Sequence, residues 1–229
     1  MSKLIGIIGA MDVEVNGIVN SMTDVQEKSV SSITFYKGKL FEKDVVVAKC
    51  GIGKVFAAIC AQTMILEYNV DVIINTGVAG SLISELCVLD VAIADKVVQH
   101  DMDTSPLGDP KGLISGINIV YFKADLLVIS SLKNACKAVN CGFFEGTIAS
   151  GDKFVVDKQD KENIASEFNA IACEMEGAAI GHTCFVNNVP FGIIRAISDG
   201  DGAEMDYQTF VRLAAENSIK ITKKFVEIY

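Results

Sequence analysis

Acidic side chains stand at the ends of several apolar runs in this chain. Glu14 follows the run LIGIIG at residues 4–9, and Asp199 ends the run FGIIRAIS at residues 191–198. Glu174 and Glu176 lie within the apolar stretch ACEMEG. An unpaired carboxylate among apolar residues is costly, so these four acids are candidates for chemistry. A plainer interpretation stays open, since acids also offset a helix dipole in a first turn or cap a helix.

Carboxylates without a companion nucleophile favour acid–base chemistry. No serine elbow or Cys–His arrangement occurs in the sequence, and the histidines, His100 and His182, have no metal-ligand spacing. We expect solvated or core positions for both. Because residues two apart on a strand share a face, Glu174 and Glu176 are expected in one environment. Carboxylates alone suit activation of water and protonation of a leaving group, as at a glycosidic bond.

Two glycine-rich segments follow apolar runs and allow a ligand close to the backbone. GIGK at residues 51–54 has neither the spacing of a phosphate-binding P-loop nor that of a dinucleotide fingerprint, and a tight turn is its plain alternative. NTGVAGS at residues 75–81 either frees backbone N–H groups to hold a polar ligand or forms an ordinary strand-to-helix turn.

Composition and charge argue against several classes of function. The chain has 229 residues, a net charge of −9 and only two arginines, Arg195 and Arg212, so it lacks the basic patch of a nucleic-acid-binding protein. Its seven cysteines form no C-x-x-C pair and are predicted to be reduced, in the cytoplasm. The N-terminal apolar run meets acids too early for a signal peptide or a membrane span, so no membrane partner is expected.

The elements that must position these groups are apolar strand-like runs alternating with helix-like segments. Strands are predicted at residues 4–9, 33–37, 44–50, 71–76, 91–98, 117–122, 147–150 and 191–197, and helices at 11–22, 54–68, 124–139, 176–187 and 207–228. This alternation predicts an α/β fold, a three-layer α/β/α sandwich with a central mixed β-sheet, in one domain over residues 1–229. Ligands in such folds lie at the carboxyl ends of the strands.

Six motifs together resemble the 5′-methylthioadenosine/S-adenosylhomocysteine nucleosidase family of the nucleoside phosphorylase/nucleosidase superfamily. They occur in the family's order and span nearly the whole chain: IGIIGAMDVEV (5–15), GIGKV (51–55), DVIINTGVAG (71–80), SGDKF (150–154), EMEG (174–177) and RAISD (195–199). The resemblance implies a nucleoside phosphorylase-like fold and an N-glycosyl hydrolase that uses no metal and no organic cofactor. It also implies a homodimer in which the segment 100–116 caps the neighbouring subunit's site.

The resemblance further implies roles for individual residues. Glu14 would be the general base that activates water, Asp199 the general acid that protonates adenine N7, and Glu176 the acid that holds the ribosyl hydroxyls and faces the cationic sugar. Phe154 would stack on adenine while the Val155 backbone reads its edge. The other implied pocket residues are Met175 against the ribose, Ser198 and Arg195 positioning the acids, and Ala10, Met11, Ile52, Ala79, Gly80 and Tyr207.

The implied chemistry is coherent. Adenine is a poor leaving anion, so protonation of N7 lets it leave neutral, while a carboxylate stabilises the oxocarbenium-like sugar. For this role Asp199 must hold or share a proton near neutral pH, which burial beside other carboxylates would favour. The expected substrates are 5′-methylthioadenosine and S-adenosylhomocysteine, with 5′-deoxyadenosine as a third.

Three alternatives stay open. A purine nucleoside phosphorylase of the same fold would need a dianion pocket, for which two arginines are few, and Glu14 would repel phosphate. A related nucleosidase would act on another adenine nucleoside or on a futalosine. A nucleoside-binding domain without turnover would not need all three carboxylates, Glu14, Glu176 and Asp199.

Overall fold

The apolar runs of the sequence become strands, and most of them are buried. The computed structural model describes residues 3–199 and 207–229, except for the side chains of Tyr207 and Gln208. The strands are β1 (Ile5–Gly9), β2 (Thr23–Val30), β3 (Ile33–Leu40), β4 (Lys43–Lys49), β5 (Val72–Ser81), β6 (Val91–Gln99), β7 (Phe122–Lys123), β8 (Phe143–Ser150), β9 (Ala170–Glu174) and β10 (Phe191–Asp199). The helices are α1 (Asp12–Val19), α2 (Lys54–Tyr68), α3 (Leu126–Ala138), α4 (Lys158–Phe168), α5 (Gly177–Val186) and α6 (Tyr207–Ile228).

The strands of the described residues form one mixed sheet, and part of that sheet closes on itself. Its order is β10-β6-β8-β9-β5-β1-β4-β3-β2, with β7 paired to β6 and an additional pairing of β10 with β5. The second pairing joins β5, β10, β6, β8 and β9 into a closed ring of strands. The remaining strands, β1, β4, β3 and β2, extend from β5 as an open sheet. The predicted mixed sheet is confirmed, and its closure is a feature that the sequence does not reveal.

Helices cover both faces of the sheet, which confirms the predicted three-layer α/β/α architecture. Helices α1 and α3 pack against α6 on one face, and α2 packs against α5 on the other. Strand β1 is buried along its whole length, as a strand covered on both faces must be. On α6 the residues Ala214, Ile221 and Phe225 are buried, at helical spacing. Within the described residues, no helix is long and apolar enough to span a membrane.

Strand β5 lies at the centre of this arrangement and is longer than the sequence predicts. The expected strand ends at Thr76, but β5 continues through Ser81, because β10 pairs with it in parallel from Ile73 to Gly80. The glycines of this segment therefore do not make a turn. A Cβ atom at Gly77 would collide with the side chains of Arg195 and Glu14, so glycine is required there by lack of room.

Other predicted elements differ from the structure for identifiable reasons. Strand β2 and helix α4 are unpredicted, since β2 is almost entirely exposed and α4 is strongly polar, which leaves little apolar periodicity. The predicted strand at 117–122 is wrong: one bridge, Ile114 to Ile119, forms there, and β7 begins only at Phe122. Helix α1 ends at Val19 rather than Met22, as the chain turns into β2.

Candidate active site

One cleft opens beyond the carboxyl ends of β1, β4, β5, β9 and β10, where an α/β fold is expected to bind its ligand. The space within the cleft is ≈ 640 Å³ when the solvent at its open mouth is included. It is lined by Ala10, Met11, Glu14, Ile52, Val78, Ala79, Gly80, Lys153, Phe154, Val155, Cys173, Glu174, Met175, Glu176, Arg195, Ser198 and Asp199. The lining combines apolar side chains with acidic groups from three separate segments, which is the composition of a small-molecule site.

Arg195 is the electrostatic centre of the cleft. It lies on β10, its side chain is 1% exposed, and its guanidinium makes a close ion pair with Glu174 and a second with Glu176 at 3.4 Å. The same group donates to the Asn75 side chain on β5. Burial of the guanidinium acts to lower its pKa, but the charges of Glu174, Glu176 and Glu14 outweigh it and raise the pKa. Arg195 therefore stays charged and neutralises part of a buried acidic cluster.

Glu14 is buried and held by three backbone N–H groups. Its Oε2 atom accepts from Ala10 at 2.6 Å and Met11 at 2.9 Å, and its Oε1 atom accepts from Val78 at 3.1 Å. Burial raises the pKa of Glu14, against the opposing effect of Arg195 and these hydrogen bonds. The result is a fixed carboxylate with an unusually strong affinity for a proton, which suits a general base.

Glu174 and Glu176 share the environment of Arg195, although they do not share a strand as the sequence predicts. Glu174 ends β9, whereas Glu176 lies one residue before α5. Glu174 caps that helix, accepting from the N–H groups of Glu176 and Gly177, and it also forms a very short hydrogen bond with the Ser150 hydroxyl.

The two acids therefore have different functions available to them. Glu174 is occupied by Arg195 and by the helix terminus. Glu176 accepts from the Gly53 N–H at 2.9 Å through Oε1. Burial raises the pKa of Glu176 to about 7, with Arg195 lowering it and Glu174 raising it. Glu176 is thus poised between protonated and ionised forms near neutral pH, at the wall of the cleft.

Asp199 lies at the end of β10, and its surroundings differ from those expected. Its Oδ2 atom pairs with Lys161 Nζ of α4 at 3.1 Å. Its Oδ1 atom is buried and has no hydrogen-bond partner among the described residues. The sequence predicts other carboxylates beside Asp199, but the charged group that contacts it among the described residues is the Lys161 ammonium.

The cleft wall contains every site residue inferred from the sequence except Tyr207, whose side chain lies outside the described residues. The Ser198 hydroxyl donates to the Ala79 carbonyl at 3.4 Å, so it joins β10 to β5. Three lining residues are not predicted from the sequence as site residues: Val78, Lys153 and Cys173. Glu174 is a candidate from the sequence, but its pairing with Arg195 is not predicted. The motif EMEG indicates Glu174, because it places that acid two residues before Glu176. The hydrogen bond from the Val78 N–H to Glu14 is not predictable from the sequence, because it depends on the extension of β5 beyond Thr76.

Residues outside this cleft follow the plainer interpretations. Asp12 pairs with Lys49 at the surface. His182 stacks on Phe122 with 4.7 Å between ring centroids, and His100 is partly buried beside Gly151. Within residues 3–199 and 207–229, no group of three or more His, Cys, Asp or Glu side chains is arranged to hold a metal ion.

Comparison with known sequences identifies relatives over the whole chain. The family model described as the Phosphorylase superfamily matches residues 4–227. A protein of Staphylococcus aureus (strain JH9) named 5′-methylthioadenosine/S-adenosylhomocysteine nucleosidase is 39% identical over 226 residues, which cover 97% of this chain and 99% of that protein.

Solved structures give the same result. The nucleosidase of that name from Neisseria meningitidis, in complex with methylthio-immucillin-A, has a TM-score of 0.94 at 35% identity and covers 99% of this chain and 100% of its own. A structure described as native futalosine hydrolase of Helicobacter pylori also has a TM-score of 0.94 at 35% identity, covering 100% of this chain and 99% of its own.

Loss of the Arg195 charge should destabilise the protein in a pH-dependent way. Arg195→Met leaves buried carboxylates without their cation, so we expect a loss of about 3–5 kcal/mol in the free energy of unfolding at pH 8. The folded variant then takes up protons that the unfolded chain does not, so stability rises as pH falls and the deficit should shrink at pH 5.5.

Urea denaturation at both pH values measures this effect. Arg212→Met is the matched control, because Arg212 forms an exposed pair with Glu216 and its loss should change stability by less than about 1 kcal/mol. An equal deficit for Arg195→Met at the two pH values would contradict the assigned electrostatic role.

Proposed function

Because this chain belongs to the phosphorylase superfamily, we propose that it is an N-glycosyl hydrolase that cleaves adenine from 5′-methylthioadenosine and S-adenosylhomocysteine. We propose 5′-deoxyadenosine as a further substrate. The observation that carries the choice of hydrolysis is the state of Arg195: the arginine of the cleft is buried and already occupied by Glu174 and Glu176.

Water is a better nucleophile for this cleft than phosphate. A phosphate dianion needs cationic groups with free donors, and bidentate arginine is the usual supplier. Arg212 lies on α6 and pairs with Glu216, while Lys153 and Lys161 pair with Asp160 and Asp199. Glu14 and Glu176 would also repel a dianion. A neutral water molecule meets no such obstacle.

Glu14 supports the role of general base that activates this water. Oε2 accepts from the Ala10 and Met11 N–H groups, whereas Oε1 accepts from Val78 alone among the described residues and keeps a lone pair for a water proton. Burial raises its pKa, which makes the ionised form a stronger base. The water would lose its proton to Glu14 as it attacks C1′ of the ribose.

Glu176 would hold the ribosyl hydroxyls and face the sugar as positive charge develops on it. A carboxylate beside an oxocarbenium-like sugar stabilises it electrostatically, and the dry surroundings strengthen that interaction. The Gly53 N–H and Arg195 fix the orientation of Glu176. Met175, between the two acids in sequence, would lie against the ribose.

Asp199 would protonate adenine N7 as the C1′–N9 bond breaks. The bonding electrons then move into the imidazole ring of adenine, which departs as a neutral base, and the sugar product is the free 5-thioribose. A positioned acid of this kind contributes ~10²–10⁴-fold to the rate. Phe154 at the exposed rim of the cleft would stack on adenine, while the Val155 backbone would read its edge.

The 5′ end of the substrate decides between two candidate nucleosidases. The similarity to the Helicobacter pylori futalosine hydrolase keeps a futalosine as the second candidate substrate. Met11, Ile52 and Met175 give the cleft an apolar part that fits an alkylthio group. We therefore rank the thioether nucleosides first.

We also propose a homodimer of single-domain subunits acting in the cytoplasm, in nucleoside catabolism and methionine salvage. On α2 the side chains of Val55, Ile59 and Leu66 are exposed at helical spacing, and such an apolar stripe favours a protein partner. Leu107, 83% exposed within the segment 100–116, is suited to reach a neighbouring cleft.

The free state of all seven cysteines supports a reducing compartment. We propose no metal, no organic cofactor and no nucleic-acid partner.

Adenine release should not depend on phosphate. We expect the protein to release adenine from 5′-methylthioadenosine at the same rate with and without added phosphate, and to form free 5-methylthioribose, because the cations among the described cleft residues are already paired with carboxylates. Coupled detection of adenine and chromatography of the sugar measure both. A sugar 1-phosphate formed only with phosphate would establish a phosphorylase, and release from a futalosine alone would establish the second candidate.

Removing either catalytic carboxyl should abolish turnover while binding persists. Asp199→Asn cannot protonate N7 and Glu14→Gln cannot accept the water proton, so we expect kcat to fall by at least ~10²-fold in each. Adenine-nucleoside affinity, measured by calorimetry, should change much less. Glu216→Gln, on the exposed face of α6, is the control. A wild-type kcat in either variant would remove that residue from its proposed role.

A charge on the α2 stripe should separate the subunits. We expect Leu66→Glu to convert a dimer to a monomer, since two carboxylates would be buried in the interface, and to lower turnover because each cleft loses its partner segment. Light scattering coupled to size exclusion measures the mass. A monomeric wild-type protein with full activity would contradict the dimer.

A further inference from the structure

Lys161 contacts the general acid of the proposed reaction but does not line the cleft. It lies on α4, which packs against β8 and β9 and begins at an N-cap formed by Asp157. From there its ammonium group reaches Oδ2 of Asp199 at 3.1 Å. The side chains are 17% and 25% exposed, far less than those of the neighbouring surface pair Lys158–Glu162 at 78% and 57%. An ion pair with this degree of burial is only partly screened by solvent.

The contact distinguishes the two oxygens of Asp199. Oδ2 accepts a hydrogen bond from the Lys161 ammonium, so its lone pair on that side cannot also hold a proton. Oδ1 is buried against Gly80 and has no partner among the described residues. Oδ1 is therefore the oxygen from which Asp199 would give a proton to adenine.

The Cys173 thiol and the Gly80 backbone, two other described groups close to Asp199, are uncharged. The Cys173 thiol of β9 lies close to it, and burial, followed by the Asp199 charge, raises the pKa of that thiol to about 12, so it stays neutral. Asp199 also lies against the backbone of Gly80 on β5. Among the described residues, which stop at Asp199 and resume at Tyr207, the charge that faces Asp199 is that of Lys161.

We propose that Lys161 is a positioning residue for Asp199: it holds Oδ2 and stabilises the carboxylate that remains when Oδ1 has given its proton to N7. This inference rests on the proposed function. In the step, the Oδ1–H bond breaks, the N7–H bond forms and the C1′–N9 electron pair enters the adenine ring. The negative charge left on Asp199 then lies opposite the ammonium of Lys161. The proton that water loses to Glu14 balances the one given to adenine, so the turnover needs no other reactant.

Lys161→Met tests the proposal, because methionine keeps the length of the side chain without its charge. We expect kcat at its pH plateau to fall about tenfold with KM within about threefold, since the carboxylate left by proton transfer loses its cation. The decline of kcat at alkaline pH should move upward by about one pH unit, because an opposite charge at this distance favours the ionised acid.

Two further variants separate charge from structure. Lys161→Arg keeps a cation and should restore kcat and the alkaline limb toward wild type, while Lys158→Met, on the same helix, should behave as wild type. A loss confined to KM, an unmoved alkaline limb, or no rescue by arginine would overturn the positioning role. If Lys161→Met turns over as fast as wild type and Lys158→Met, the role of Lys161 is overturned and the proposed function stands. If wild type releases no adenine, the proposed function fails and the role of Lys161 fails with it.

Discussion

The buried ion cluster around Arg195 is the constraint on which the rest of the site depends. One guanidinium faces Glu174, Glu176 and Glu14 with almost no solvent to share the charge. Such a cluster persists only when each carboxylate has further donors, because removal from water is costly for every ion. Backbone N–H groups just after β1, within β5, just before α2 and at the start of α5 supply these donors, so the charges and the ends of these elements hold one another in place.

The same cluster gives each acid a distinct chemical state. Glu174 is fully used by Arg195 and the α5 terminus, so it holds the cation in place. Glu176 pairs with the same cation at 3.4 Å, and burial raises its pKa to about 7 despite that pairing. Glu14 takes backbone donors and retains a high proton affinity. Asp199 lies apart from the three and has Lys161 as its partner. Four carboxyl groups in one cleft thus perform different tasks.

The sequence predicts much of this, and the limits have physical causes. Apolar runs and the acids at their ends were sufficient for the layered fold and for the place of the cleft. They were insufficient for β2 and α4, whose exposed faces carry little periodicity. The glycines of 77–80 were ambiguous because local sequence does not say whether a glycine bends the chain or makes room for a neighbour. The Lys161–Asp199 contact was invisible, since it joins a polar helix to a distant strand.

The closed ring of strands also sets the order in which the molecule can assemble during synthesis. β5 and β10 are far apart in sequence, yet their pairing closes the ring, so closure waits until nearly the whole chain has left the ribosome. Arg195 arrives with β10, and until then Glu14 of α1, Glu174 of β9 and Glu176 lack this cation. The nascent chain therefore keeps an open edge on β5 and an uncompensated group of carboxylates late into translation. Its final strand completes the sheet and brings the cation that neutralises part of the acidic cluster in a single event.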